Sequence, residues 1–318
     1  LEELKEKYHA KIKIFNETLW DGKVNKTKVL SWLENFKSEE QIHALFLLTQ
    51  FIYFSDYQIK EMFVSIYRDY FKYKHIELIR QNNSNTLDSV FIKSEFEKIL
   101  SKTRFVALGN VSESSAHLMY IFRKENSIRT DIFIDSSQII DCDSNVEHFV
   151  FIDDICGSGN QAYEYTEVAL RNIDKYFPTA KKYYYVLVGT LEGKEYLKKY
   201  TNIDYIDSVL DLDDTFKCFD PKSRVFKNKD KEIDVATIKD FVGQYGKDLI
   251  GSMIKRSDSS ISSHDLDYNS EINKYGYGNG QLLIAFEHNT PDNTLPVFWY
   301  NEDMISWNPI FKRANKIF

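Results

Sequence analysis

A chain of 318 residues, 43% hydrophobic and 28% charged, can bury two cores and is too apolar to be a disordered segment. Its formal charge of −7 gives no overall field toward nucleic acid, so such binding would need a local basic patch. Cys142, Cys156 and Cys218 are odd in number and far apart, which argues against a disulfide frame or a zinc site, and no apolar run is long enough to span a bilayer.

The first residues, LEELKEKYHAKIK, are charged and do not read as a signal peptide, so a soluble, cytoplasmic protein is expected. Residues 1–100 read as helices. Apolar positions in LSWLENF, IHALFLLTQFIYF and YQIKEMFVSIYRDYFKY recur at helical spacing, and Ser38 with Gln41 has the form of a capping box. The polar run NNSN at 82–85 breaks that pattern before a short helix at about 88–101. This part shows no catalytic constellation and is expected to be a scaffold or a partner-docking domain. The 21 Tyr and 23 Phe are expected to fill cores rather than to form a stacking surface.

From residue 103 the period changes. Residues 103–108 (TRFVAL) read as a strand, 109–115 as a loop, 116–124 as a helix and 130–134 as a strand. A polar stretch follows. Then come a strand at 146–152, a helix at 160–176, a strand at 183–188 (YYYVLV), a helix at 191–200 and a strand at 203–209. Such alternation predicts an α/β fold with a parallel sheet, whose ligands bind at the carboxyl ends of the strands. Beyond residue 215, PKSRVFKNKDKE reads as a solvated loop, 235–255 as a helix, SDSSISSHD as an exposed connector and QLLIAFEH as a last strand.

The stretch HFVFIDDICGSGNQ (148–161) is unusual, because a greasy strand ends in two adjacent carboxylates and passes through small residues into a helix. Two phosphate-binding patterns fail here. The nearest approach to a P-loop, Gly189-Thr-Leu-Glu-Gly193-Lys194-Glu195, is one residue short and lacks the hydroxyl that would hold magnesium. A dinucleotide fingerprint wants its first glycine directly after the strand, whereas Asp-Asp-Ile-Cys intervenes. The third pattern fits. Hydrophobic residues 149–152, the acids Asp153 and Asp154, Ile155, Cys156, then Gly157, Ser158 and Gly159 resemble the signature of the type I phosphoribosyltransferases. Small residues let backbone N–H groups wrap a phosphate, and the helix that follows adds its positive end, worth about 0.3–2 kcal/mol toward an anion. Paired carboxylates suit the two hydroxyls of a ribose and an electron-poor sugar carbon. Gly157, Asn160 and Gln161 stand where threonine or glycine is commoner in that signature, which removes two hydroxyl donors. The bland alternative is an acidic pair that caps a loop and binds nothing.

Upstream, Gly109, Asn110, Ser112, Glu113, Ser114 and Ser115 lie between a strand and a helix, where the resemblance places the pyrophosphate loop. Alone they would read as an ordinary capped turn. The polar stretch 135–147 then falls where that family has a mobile catalytic flap, with Lys124 and Arg129 near its start. In the last third, HNTPDNTLP packs turn formers and amides directly after a strand. It reads equally as a wall for an acceptor, with His288, Asn289 and Asn293 as candidates, or as a loop whose amides satisfy their own backbone.

The combination of LGN-SESSAHLMYIFR, FIDDICGSGNQ, YGNGQLLIAFEHNTPDNTLPVFW and WNPIFKR is similar to the phosphoribosyltransferase-like proteins of bacterial conflict and anti-phage systems, some of them effectors beside retron modules. The resemblance covers about residues 95–318. It implies a type I phosphoribosyltransferase-like sheet flanked by helices (96–214), an amino-terminal helical domain (1–95) and a carboxyl-terminal α/β hood (215–318). It also implies a site for phosphoribosyl pyrophosphate (PRPP) or a related nucleotide. In that site Gly157, Ser158, Gly159, Asn160 and Gln161 hold the 5′-phosphate, Asp153 and Asp154 hold the ribose, and the 109–115 loop holds pyrophosphate. Magnesium would be met indirectly by Asp153 and Asp154, since it binds few protein ligands and much substrate phosphate. Transfer or hydrolysis at the anomeric carbon is the leading expectation, and a catalytically silent sensor is the alternative. A protein partner or nucleoprotein complex of a defence system is expected, with no membrane contact. Nucleic acid at the basic loop 222–231 is a third reading, which the net charge does not support.

Overall fold

In the computed structural model, which describes residues 1–108, 113–302 and 304–313, the chain divides into two units. One joins Leu1–Tyr57 to Asp213–Phe318, and the other is Gln58–Leu212. The helical start is therefore not a domain of its own ending near 95. Residues 1–57 share a core with the carboxyl-terminal third, and the helices from 58 onward pack on the sheet.

The discontinuous unit begins with α1 (Glu2–Thr18), α2 (Lys26–Leu33), α3 (Gln41–Leu48) and β1 (Ile52–Phe54). The expected capping box does not form: Glu40 is the N-cap of α3, and its side chain instead accepts the N–H of Lys37 at 3.0 Å. The apolar run after α3 turns into the short strand β1 rather than continuing as helix. The second chain segment of this unit holds α10 (Val235–Ser257), α11 (Ser263–Asn273) and a strand at Ile284–Phe286 that pairs in parallel with β1. Ser262 caps α11 by accepting the N–H of Asp265, so the last three residues of the expected connector begin a helix. Aromatic residues tie the two segments together. Trp32 stacks on Phe298 and donates its indole N–H to the Val297 carbonyl at 2.8 Å, while Phe51 stacks on Phe311. Each of those side chains is almost wholly buried.

The second unit opens with α4 (Asp56–Ser65), a π-helical segment at Ile66–Lys72, α5 (Tyr73–Asn82) and α6 (Ser89–Ser101). Asp88 caps α6 by accepting the N–H groups of Val90 and Phe91. There follow β2 (Thr103–Ala107), α7 (Glu113–Glu125), β3 (Phe133–Asp135), β4 (His148–Cys156), α8 (Asn160–Tyr176), β5 (Lys181–Thr190), α9 (Leu191–Tyr200) and β6 (Tyr205–Leu212). These five strands form a parallel sheet in the order β3-β2-β4-β5-β6. The run YYYVLV lies in β5, an interior strand, and a strand covered on both faces has no need of polar alternation.

Helices cover both faces. Phe149, Phe151, Tyr184 and Val186 pack with Ala162, Ala169 and Ile173 of α8 and Leu197 of α9. On the other face Phe105 meets Phe122 of α7 and Phe71 of the π segment. The π segment widens the helix at Tyr70, whose backbone carbonyl accepts the Tyr185 hydroxyl at 3.1 Å while its own hydroxyl donates to the Ser208 carbonyl. Because α7 and α8 cross on opposite faces, the chain reverses direction between β2 and β4. In sheets of this kind such a reversal marks a ligand-binding crevice at the carboxyl ends of the two flanking strands.

Residues 135–147, expected as a mobile flap, are anchored. A 3-10 turn at Ser136–Asp141 begins with a reciprocal Asp135–Gln138 capping box, and Ile139 and Val146 are buried in the core.

Candidate functional site

Strand β4 does not stop at Ile152. It runs on to Cys156, paired with β5 through Asp153↔Val186 and Cys156↔Gly189. Its other neighbour, β2, ends at the pair Ala107↔Ile152. Asp153 and Asp154 therefore stand in the strand but past the end of β2, at the mouth of the crevice. Each carboxylate folds back on its own chain: Asp153 Oδ1 accepts the N–H of Asp154 at 2.9 Å, and Asp154 Oδ1 accepts the N–H of Ile155 at 2.8 Å. Asp153 Oδ2 also accepts the hydroxyl of Tyr184 at 3.0 Å.

Tyr184 is fully buried on β5, and burial first, then the charge of Asp153, lifts its phenol well above the ordinary range. It stays protonated and donates. Cys156 is buried beside it, and burial, reinforced by Asp153, pushes its thiol up to about 12. That thiol is no nucleophile at neutral pH.

Gly159 is the N-cap of α8, with φ of +85° and no capping side chain. A Cβ there would lie 2.7 Å from the Gly193 carbonyl oxygen, and one on Gly193 would run into the Gly157 carbonyl. The first turn of α9 thus presses on the loop. Thr190 fixes that contact by donating its hydroxyl to the Gly157 carbonyl at 2.5 Å while accepting the Gly193 N–H at 2.9 Å. Ser158 Oγ accepts the N–H of Asn160 at 3.4 Å. The backbone N–H groups of Ser158 and Gly159 meet no acceptor among the described residues. Gln161 points along the helix, its amide donating to the Tyr165 hydroxyl at 3.0 Å.

Of the upstream loop, Gly109, Asn110 and Ser112 lie outside the described residues, and Glu113, Ser114 and Ser115 form the first turn of α7. That turn follows β2, across the crevice mouth from β4 in sheet order. His288, Asn289 and Asn293 belong to the other unit. There Asn289 closes a tight turn with Phe286 through paired backbone bonds. Asn293 is buried, its amide donating to the Tyr277 carbonyl at 3.0 Å and its backbone oxygen accepting the N–H of Leu282. Thr294 and Trp299 likewise spend their polar groups on local carbonyls.

Local pattern did not reveal one cluster. Lys194, buried in the first turn of α9, pairs with Asp211 at the end of β6, and the Ser208 hydroxyl bonds the same carboxylate. Partial burial raises the Asp211 carboxyl, but the bonds from Lys194 and Ser208 outweigh it and hold the group below its usual range. The near-miss Gly193-Lys194 was the available signal. What it could not show is that Gly193 abuts the loop after β4.

A parallel sheet with its acids and glycine loop at the switch point is the frame in which a family can be assigned. The family model of PRTase-CE matches residues 29–313. The chain belongs to the PRTase-CE family. Among solved structures, a similar one is the Helicobacter pylori xanthine-guanine-hypoxanthine phosphoribosyltransferase, at 11% identity over 51% of this chain and 89% of that one, with a TM-score of 0.27. No curated protein matches. The sheet of this PRTase-CE chain is thus phosphoribosyltransferase-like, and no helix among the described residues is long and apolar enough to cross a membrane.

Proposed function

We propose that this PRTase-CE protein binds PRPP or a related ribose phosphate in the crevice between β2 and β4 and acts at its anomeric carbon. The observation that carries the reading is the alignment, at one strand end, of Asp153 and Asp154 with the Ser158 and Gly159 amides and the start of α8. The amides and the helix end would hold the 5′-phosphate. The carboxylates would take the ribose hydroxyls and face the positive charge that builds at the sugar carbon as the leaving group departs.

Among the described residues, no three His, Cys, Asp or Glu side chains gather to hold a metal. Magnesium would therefore arrive with the ligand's phosphates, where Asp153 and Asp154 offer the hard oxygen donors that such an ion accepts. When bound it would neutralise charge on the pyrophosphate. The chain's own residues orient the sugar, with Thr190 bracing the loop against α9. The wider setting, an effector of bacterial anti-phage defence with a protein partner, is the one the sequence resemblance implies.

A second reading keeps the pocket and drops the chemistry: the protein senses PRPP or a nucleotide and signals to a partner. The replacement of loop threonines by Gly157, Asn160 and Gln161 favours it. Calorimetry with PRPP and magnesium, run beside an assay for released pyrophosphate, separates the two. Binding with release supports an enzyme, binding without release supports a sensor, and no binding removes both.

A further inference from the structure

We propose that Tyr184 is a positioning residue for Asp153, its buried hydroxyl holding that carboxylate in one orientation at the crevice mouth. The functional meaning rests on the ribose-phosphate reading above; the physical effect on Asp153 does not.

Three observations carry it. First, the hydroxyl sits in a place where packing alone would prefer phenylalanine. Tyr184 is fully buried among Phe149, Phe151, Val186 and the apolar face of α8, and a hydroxyl in such surroundings is costly unless it is bonded. Second, the bond it makes is to a functional candidate: Oδ2 of Asp153, at 3.0 Å. Third, the other oxygen of the same carboxylate is fixed by the N–H of Asp154, so both oxygens are oriented by donors. In strand register Tyr184 lies opposite Phe151, which makes it the diagonal neighbour of Asp153 on the same sheet face. A buried side chain on an interior strand thus sets the carboxylate, where a surface side chain would leave it to rotate.

The test uses Tyr184→Phe and Asp153→Ala in the full chain. The buried Tyr184 hydroxyl proton of the wild type should exchange slowly with solvent, and Asp153→Ala should lose that protection; protection retained in the variant overturns the proposal. Tyr184→Phe should fold and bind PRPP–magnesium about tenfold more weakly than the wild type. An unchanged affinity overturns the proposal, because Tyr184 would then be packing alone. Wild-type protein that binds no PRPP overturns the ribose-phosphate reading instead, and the hydroxyl-proton exchange still decides Tyr184. If Tyr184→Phe does not fold, the exchange measured in Asp153→Ala decides alone.

Discussion

Gly159 and Gly193 meet across the carboxyl ends of β4 and β5, where a methyl group on either would strike the other's loop. The glycines of the acid-glycine motif therefore have two duties. They let α9 dock against the turn that α8 starts from, and in the proposed reading they also bare amides to a phosphate.

Replacing Gly159 by alanine should be costly on both counts. Its φ of +85° strains any Cβ, and the Gly193 oxygen would lie 2.7 Å away. A loss of about 1–3 kcal/mol in unfolding free energy is expected, measured by urea titration. Ribose-phosphate affinity should fall with it, since the loop must move.

Asp153→Asn combined with Asp154→Asn should leave the sheet intact. An amide oxygen can still accept the N–H groups of Asp154 and Ile155 that the carboxylates now accept. PRPP binding in magnesium should drop by about two orders of magnitude or more, as expected when two charge-assisted contacts go. Calorimetry reads the affinity, and circular dichroism the fold. Full binding and turnover in the double variant would sink the functional reading.

Acid should weaken the second unit well before its carboxylates protonate. His148 is pushed down to about 4, by burial first and then by His75, whose own ring is lowered mainly by burial. The two rings meet edge to face at 5.0 Å, and His148 Nδ1 lies 3.1 Å from the Tyr183 hydroxyl. Glu147 opposes the shift and Lys102 adds to it. Folded pKa values below the unfolded ones mean that stability is full above the unfolded histidine value of about 6.5. It is lost as pH falls from there toward 4, by on the order of 1–3 kcal/mol. A Tm series from pH 7 to 4 checks this, and His148→Gln should flatten the curve.

Asn293→Ala should separate structure from chemistry in the other unit. The Asn293 amide caps the Tyr277 carbonyl, and its chain packs against Gly276 and Gly280. Unfolding free energy should fall by about 0.5–1.5 kcal/mol, the net worth of one hydrogen bond, since the Tyr277 carbonyl keeps the N–H of Gly280. PRPP affinity should stay within about twofold of the wild type if the amide does no more than this, since about 0.4 kcal/mol is all such a change represents. A selective loss of affinity would restore the acceptor role.

Much of the sheet unit was legible because its signals are local. The helices at 160–176 and 191–200 fall where α8 and α9 do, since strand ends and amphipathic faces mark them in sequence. The acid pair was legible too, though not its setting within a strand. Pairing with β5 keeps β4 extended to Cys156, and two aspartates in a row give no hint of that. Tyr184 and Asp211 carried no mark of their own, and Lys194 only that of a failed P-loop, since each gains its meaning from a neighbour on another strand or helix.

The sequence by itself determined the parallel α/β character, the acid-glycine turn and the family, because each follows from residues close together along the chain. Only the tertiary structure decided that residues 1–57 join 213–318 around one core, and that a buried phenol on β5 holds Asp153. Such pairings are made between positions far apart in the chain or on separate strands, where packing rather than local preference selects the partner.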